Sequence, residues 1–320
     1  MWTEIPLVLD LKDQKTVLKS FLIKIAIFLA IFAMSDRMIG KFLEGGLDRY
    51  FGLNVPARVL CIGHSHTVLG IDKKGLEKQL DVPVAVYARL GADTSNRLAM
   101  IRHYLSKQPG AVKTIVYGVD AHAFTGEGLS KNSHRLFYPF MDTPLVRDYV
   151  KANAASPGEY WLRRNLKLTR FNEVTIGLSI RGWLNKWTNL KYGQINIEKL
   201  QKELKQGAFR KIEFDQSQID LFEDTIRLVR SHDIQLVLVY IPTIDLYNNA
   251  EPEKYREAIK RFEAYAEKDN RITFLDYNPE FSHRHDLFYD PIHINPTGQK
   301  IITGRLSKDL QKLKKIQINN

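Results

Sequence analysis

Five short apolar runs, at residues 59–62, 82–87, 114–119, 236–241 and 272–275, constrain the fold of this chain more than any other feature. Each is rich in branched aliphatic residues and none alternates with polar ones. A strand with one wet face must alternate, so these runs predict strands covered on both faces. Helical spacing fills the gaps. Leu98, Ile101 and Leu105 follow a cap at Thr94 or Ser95. Ile219, Phe222, Ile226 and Val229 precede the fourth run, and Tyr255, Ile259, Phe262 and Tyr265 precede the fifth. A last helix is expected over 297–314. Strand and helix in repeated alternation predict an α/β fold, a doubly wound and mainly parallel five-stranded sheet. With 320 residues, 44% of them hydrophobic, the chain can build such a core.

Two stretches depart from that rhythm. Residues 17–34 are strongly apolar, broken only by Lys19, Ser20 and Lys24. A membrane-spanning helix needs about 20 apolar residues, with about 17 as a lower limit, and lysine stems reach back to the interface. Lys12, Lys15, Lys19 and Lys24 lie before the apolar centre, while Arg37 and Lys41 follow it. That bias keeps the N-terminus inside and sends the rest of the chain out. No small-residue cleavage site stands out, which favours an uncleaved single-pass anchor over a signal peptide. Residues 35–56 read as a short helical stalk and linker interrupted by Gly45 and Gly46. The expected division is therefore an anchor with linker over 1–56 and an α/β domain over 57–320.

The second stretch, 121–215, separates the third and fourth strands and far exceeds an ordinary crossover of about a dozen residues. It is a helical insertion that mixes aromatic and basic residues, among them Trp161, Arg163, Arg164, Arg181, Trp183 and Trp187. Its 16 Lys/Arg against 9 Asp/Glu hold +7 of the formal charge of +11. A lid or substrate-binding subdomain is one expectation; a small helical cap with solvated charges is the other. The overall charge points to an anionic partner such as a membrane surface or an acidic glycan. Nucleic acid is not expected, because the basic residues are spread out and the anchor places the domain elsewhere. The one cysteine, Cys61, excludes an internal disulfide and falls in an apolar run, as a buried inert thiol would.

The chemistry gathers at two remote places. Gly63, His64 and Ser65 follow the first strand directly, and Asp290 stands three residues before His293. A serine hydroxyl is a weak nucleophile until an imidazole takes its proton. The imidazole needs a carboxylate to fix its tautomer and stabilise its charged form. Ser65, His293 and Asp290 supply those three roles. In a doubly wound sheet, the carboxyl ends of the strands form the crevice where ligands bind.

This pattern resembles the SGNH/GDSL hydrolase superfamily, whose serine follows strand one and whose Asp and His share a late block. The resemblance implies a serine mechanism without a cofactor, with the Ser65 and Gly91 N–H groups as the oxyanion hole. Gly91 lies between Leu90 and Ala92, where the second block falls. Two departures stand out. Asp120 occupies the place of an asparagine that helps the oxyanion hole, and a carboxylate there would repel developing negative charge. His64 replaces the usual aspartate beside the nucleophile. With its anchor, the chain is similar to envelope acylation proteins such as the D-alanyl transfer protein and exopolysaccharide O-acetyltransferases. That likeness implies a bacterial inner-membrane protein that moves an acyl group from Ser65 to a glycan hydroxyl or to water. A membrane-bound O-acyltransferase would be its partner. Arg163 and Arg164 would hold an acidic polymer, and Trp183 and Trp187 would stack on sugars.

Two other classes compete. His64, His66, Asp120 and His122, with Asp290 and His293 nearby, offer imidazole and carboxylate ligands for a metal-dependent hydrolase. Alternate residues of an extended segment point to opposite faces, however, and no compact ligand motif is present. A non-catalytic glycan-binding envelope protein is the third class, since a fold alone does not establish chemistry.

Overall fold

The structure is a computed structural model and describes residues 11–126 and 133–318. Strands β1 (Val59–Gly63), β2 (Val84–Ala88), β3 (Thr114–Val119), β4 (Gln235–Tyr240) and β5 (Ile272–Asp276) form one parallel sheet in the order β2-β1-β3-β4-β5. Each of the five apolar runs supplies one strand. The helices are α1 (Leu11–Phe51), α2 (Ser65–Gly70), α3 (Lys73–Leu80), α4 (Thr94–Lys107), α5 (Pro144–Asn153), α6 (Pro157–Asn165), α7 (Glu173–Trp183), α8 (Ile197–Lys205), α9 (Gln216–Ser231), α10 (Asp245–Asn248), α11 (Pro252–Lys268), α12 (Asn278–Phe281) and α13 (Pro296–Ile318).

Successive strand residues point to opposite faces, which divides the core into two layers. Leu60, Ile62, Ile115, Tyr117, Leu236 and Leu238 meet α4, α9, α11 and the end of α1. Cys61, Val116, Val237 and Val239 meet α3 and α13. This two-sided cover is why the runs need no polar alternation. Burial pushes the Cys61 thiol up to about 12, in keeping with an inert thiol. The cap of α4 is Asp93, one residue ahead of the expected Thr94 or Ser95. Its carboxylate accepts the Asn96 N–H at 2.7 Å, whereas the Thr94 hydroxyl donates to Ala123 O and Ser95 pairs with Tyr149.

Helix α1 runs unbroken through Gly45 and Gly46, contrary to the expected interruption. These glycines serve a helix crossing. A Cβ on Gly46 would lie 2.2 Å from Ser179 Oγ, and one on Gly182 would lie 1.8 Å from Gly46 O. The two backbones of α1 and α7 therefore touch, and packing offsets the helix propensity lost at glycine, about 1 kcal/mol per residue. Leu47, Tyr50 and Phe51 of the expected linker belong to the core. Upstream, α1 is long and apolar enough to cross a membrane, and its most apolar stretch is entirely exposed.

The insertion is fastened to α1 chiefly through α7 and residues 167–170, while α5 packs on α4. Asp36 accepts the N–H groups of Lys167 and Leu168 at 2.9 and 2.8 Å, and α7 lies across the later turns of α1. Residues 187–196 return to the carboxyl edge of the sheet, and Leu200 of α8 joins the core layer that meets α3 and α13. At that edge Ile195 N–H donates to Phe288 O at 3.1 Å, and Gln299 Nε2 donates to Asn189 O at 3.0 Å. Residues 127–132, which the insertion includes, lie outside the described residues.

Candidate active site

Ser65 is the first residue of α2, immediately beyond β1, an interior strand flanked by β2 and β3, and the single residue His64. The helix turns back so tightly that a Cβ on Gly63 would lie 1.9 Å from Thr67 Oγ1. Glycine is thus required there for space. His64 caps α2, its Nδ1 accepting the His66 N–H at 3.2 Å.

The other half of the site is the turn that leads into α13. Asp290 Oδ1 accepts the N–H groups of Ile292 at 3.0 Å and His293 at 2.9 Å, which fixes the turn. Asp290 Oδ2 lies 2.7 Å from His293 Nδ1, and His293 Nε2 lies 2.8 Å from Ser65 Oγ. An acceptor at Nδ1 assigns the proton to that nitrogen, which leaves Nε2 as the acceptor for the serine proton. Burial alone would raise the Asp290 carboxyl. The hydrogen bond and charge of His293, with the two N–H groups, outweigh it and hold the carboxyl below the usual range. Helix α13 is held against α2 and the segment after it. Gln299 Nε2 donates to Leu69 O at 2.8 Å, and Asp72 N–H donates to Thr303 Oγ1 at 2.9 Å. Sequence reasoning missed these two residues. Their signal was a stripe of Gln299, Thr303 and Ser307 at four-residue spacing, a buried polar face.

Gly91 sits in the turn after β2 with φ of 73°. That turn adjoins β1, because Gly63 pairs in register with Ala88 and Gly63 O accepts the Arg89 N–H at 3.2 Å. Asp120 lies on the other flank, at the end of β3. Its Oδ2 is 2.7 Å from His64 Nε2 and 3.8 Å from His66 Nδ1, and its Oδ1 accepts the His122 N–H at 2.8 Å. The carboxylate is thus engaged within the protein on both oxygens. Burial would raise it, but His64, then His66 and His122, hold it well below the usual range. Burial also lowers His64 in spite of Asp120.

His64, His66 and Asp120 present ligand atoms within 4.8 Å of one another, the one metal-sized group among the described residues. The hydrogen bonding of His64 opposes that use. Its Nδ1 accepts a backbone N–H, so its proton resides on Nε2, the atom that would have to bind the ion. His66 sets its ring edge-on to both His64 and His293, at centroid distances of 4.5 and 5.5 Å. The His122 ring instead neighbours Tyr247 at 6.0 Å, outside the group.

The four residues expected to bind substrate make the following contacts. Trp183 stacks on Phe42 and under Arg49, and Trp187 donates to Arg49 O beneath the Lys73 ammonium. Arg163 lies over Tyr138, and Arg164 O accepts from Arg170. These contacts attach the insertion to α1 and order its interior.

No family model matches the sequence, and no curated protein matches it. Solved structures similar to this chain include a protein described as an acylhydrolase from Bacteroides fragilis, at 11% identity and TM-score 0.42, covering 80% of this chain and 87% of that one. A GDSL-like lipase from Bacteroides thetaiotaomicron has 12% identity and TM-score 0.43, covering 84% and 99%. A protein described as a platelet activating factor from Streptococcus pneumonia has 11% identity and TM-score 0.39, covering 90% and 99%. A likeness this distant lends no chemistry to the site, whose residue roles rest on its own geometry.

Proposed function

We propose that this protein is a serine-dependent esterase or O-acyltransferase that acts on a bacterial envelope glycan through an acyl-Ser65 intermediate. The observation that carries the reading is the relay from Ser65 Oγ to His293 Nε2 at 2.8 Å and from His293 Nδ1 to Asp290 Oδ2 at 2.7 Å. His293 takes the hydroxyl proton as Ser65 Oγ attacks an acyl carbonyl. Asp290 steadies the imidazolium. The N–H groups of Ser65 and Gly91 receive the oxyanion, and His293 returns its proton to the leaving oxygen. In the second half, His293 takes a proton from a sugar hydroxyl or water, which attacks the acyl-serine. Every step uses side chains and backbone of this chain, with no cofactor.

The glycan acceptor draws support from the basic insertion, and the envelope location from the exposed apolar half of α1 and its lysine bias. A membrane-bound O-acyltransferase is the partner that fits a single-pass acyl carrier. An activated acetyl ester should give a stoichiometric burst of leaving group and an acetyl adduct on Ser65 by mass spectrometry. Ser65→Ala and His293→Ala should abolish both. Equal behaviour of all three proteins would rule out the triad. Adding oligosaccharide acceptors then separates transfer from hydrolysis.

A further inference from the structure

Helix α7 packs on the body through a face of small residues and leaves an apolar face open. At 100° per residue, Thr175, Ser179 and Gly182 share the buried face that packs on the body, while Ile176, Gly177, Ile180 and Trp183, with the cap residue Leu184, share the outward one, which Glu173 begins. Glu173, in the first turn, is the one acidic residue of this helix. The outward face continues onto α1 through the Phe42–Trp183 stack, at 5.1 Å. Met38, Ile39, Phe42, Ile176, Ile180, Trp183 and Leu184 are between 37% and 66% exposed, so the patch is open. Such a contiguous apolar patch marks an interaction surface.

We propose that this α1–α7 face lies in the membrane interface, so that the insertion rests on the lipid surface and the domain does not stand off on a stalk. The inference rests on the anchor reading of α1. Its exposed apolar side runs from Val17 to Phe42, about 38 Å of helix at 1.5 Å per residue. That exceeds the ~30 Å hydrocarbon core by about one headgroup layer, and the excess is the part that α7 flanks. Exposed Arg37, Lys41 and Lys186 border the region, as suits lipid phosphates. A tryptophan at this level matches the aromatic belt of membrane proteins. Continuity with the spanning helix and the basic border favour lipid over a second protein.

The full chain in lipid nanodiscs, one copy per disc, tests this. Single cysteines at Ile27→Cys, Ile180→Cys and Glu257→Cys in a Cys61→Ala background carry nitroxide labels, whose collisions with oxygen and with a water-soluble nickel chelate report depth. Ile27 and Ile180 should favour oxygen, and Glu257, exposed on α11, should favour nickel. Nickel access at Ile180 with oxygen access at Ile27 would overturn the docking while sparing the anchor. Nickel access at both would overturn the anchor and the docking with it. Shielding of Ile180 from both reagents would mean protein cover and would equally overturn it. The chain with its native cysteine gives a second reading. Acyl chains brominated near the headgroup should quench its tryptophan emission, and Trp183→Phe should reduce the quenched fraction. Unchanged quenching in that variant would count against the proposal.

Discussion

Ser65, His293 and Asp290 form a directional relay in which each partner restricts the next. Asp290 is already held by two backbone N–H groups, so its second oxygen has one direction left, toward His293 Nδ1. Asp290→Asn keeps the shape but puts an amide where a carboxylate fixed the tautomer. The acylation rate should fall by about 10⁴-fold, as for a serine triad that loses its carboxylate, with melting little changed. A mild loss measured by stopped-flow acylation would show that His293 does not depend on Asp290. The His64–Asp120 contact has a different role. With the His122 N–H, it gives each oxygen of a buried carboxylate a partner within the protein. Asp120→Ala leaves His64 Nε2 and the His122 N–H without an acceptor, and should cost about 1–3 kcal/mol of stability. A thermal melt equal to wild type would show that the contact contributes nothing.

The crossing of α1 and α7 concentrates packing energy where neither helix has a side chain. A methyl group at Gly182 would meet Gly46 O at 1.8 Å, whereas one at Gly177, on the opposite face of the same helix, meets nothing within 4 Å. Gly182→Ala should therefore destabilise by about 1–3 kcal/mol through forced backbone shifts. Gly177→Ala should stabilise by up to about 1 kcal/mol through helix propensity. Melting of the two variants in detergent checks the contrast, and shifts of the same sign would contradict this helix geometry. The sequence reading took Gly45 and Gly46 for a break because glycine is a poor helix former in isolation. Packing against α7, invisible to local propensity, reversed that reading.

Across the whole molecule, five histidines share one electrostatic condition. Burial is the leading cause that lowers His64, His66, His103, His122 and His134, with His103 brought to about 3. In the unfolded chain they take up protons near pH 6.5, while the folded protein resists. Below that pH the unfolded state binds more protons, so stability falls as pH drops. Melting in detergent should be lower at pH 5.5 than at pH 7.5, because these five imidazoles outnumber the buried carboxyls of Glu44, Asp48 and Asp276, which burial raises and whose protonation acts the other way. A flat profile would mean that these imidazoles are hydrated in the folded state. The amino-acid sequence by itself determined the α/β layering, because a strand covered on both faces must be apolar without alternation. It also marked Ser65, Asp290 and His293, because this chemistry demands those residue types beside strand and helix ends. Only the tertiary structure decided that residues 228 positions apart meet at 2.8 Å, that Asp120 turns to His64, and that the insertion clasps α1. Those outcomes depend on which surfaces are left facing each other after the sheet is assembled, and linear spacing carries no record of that.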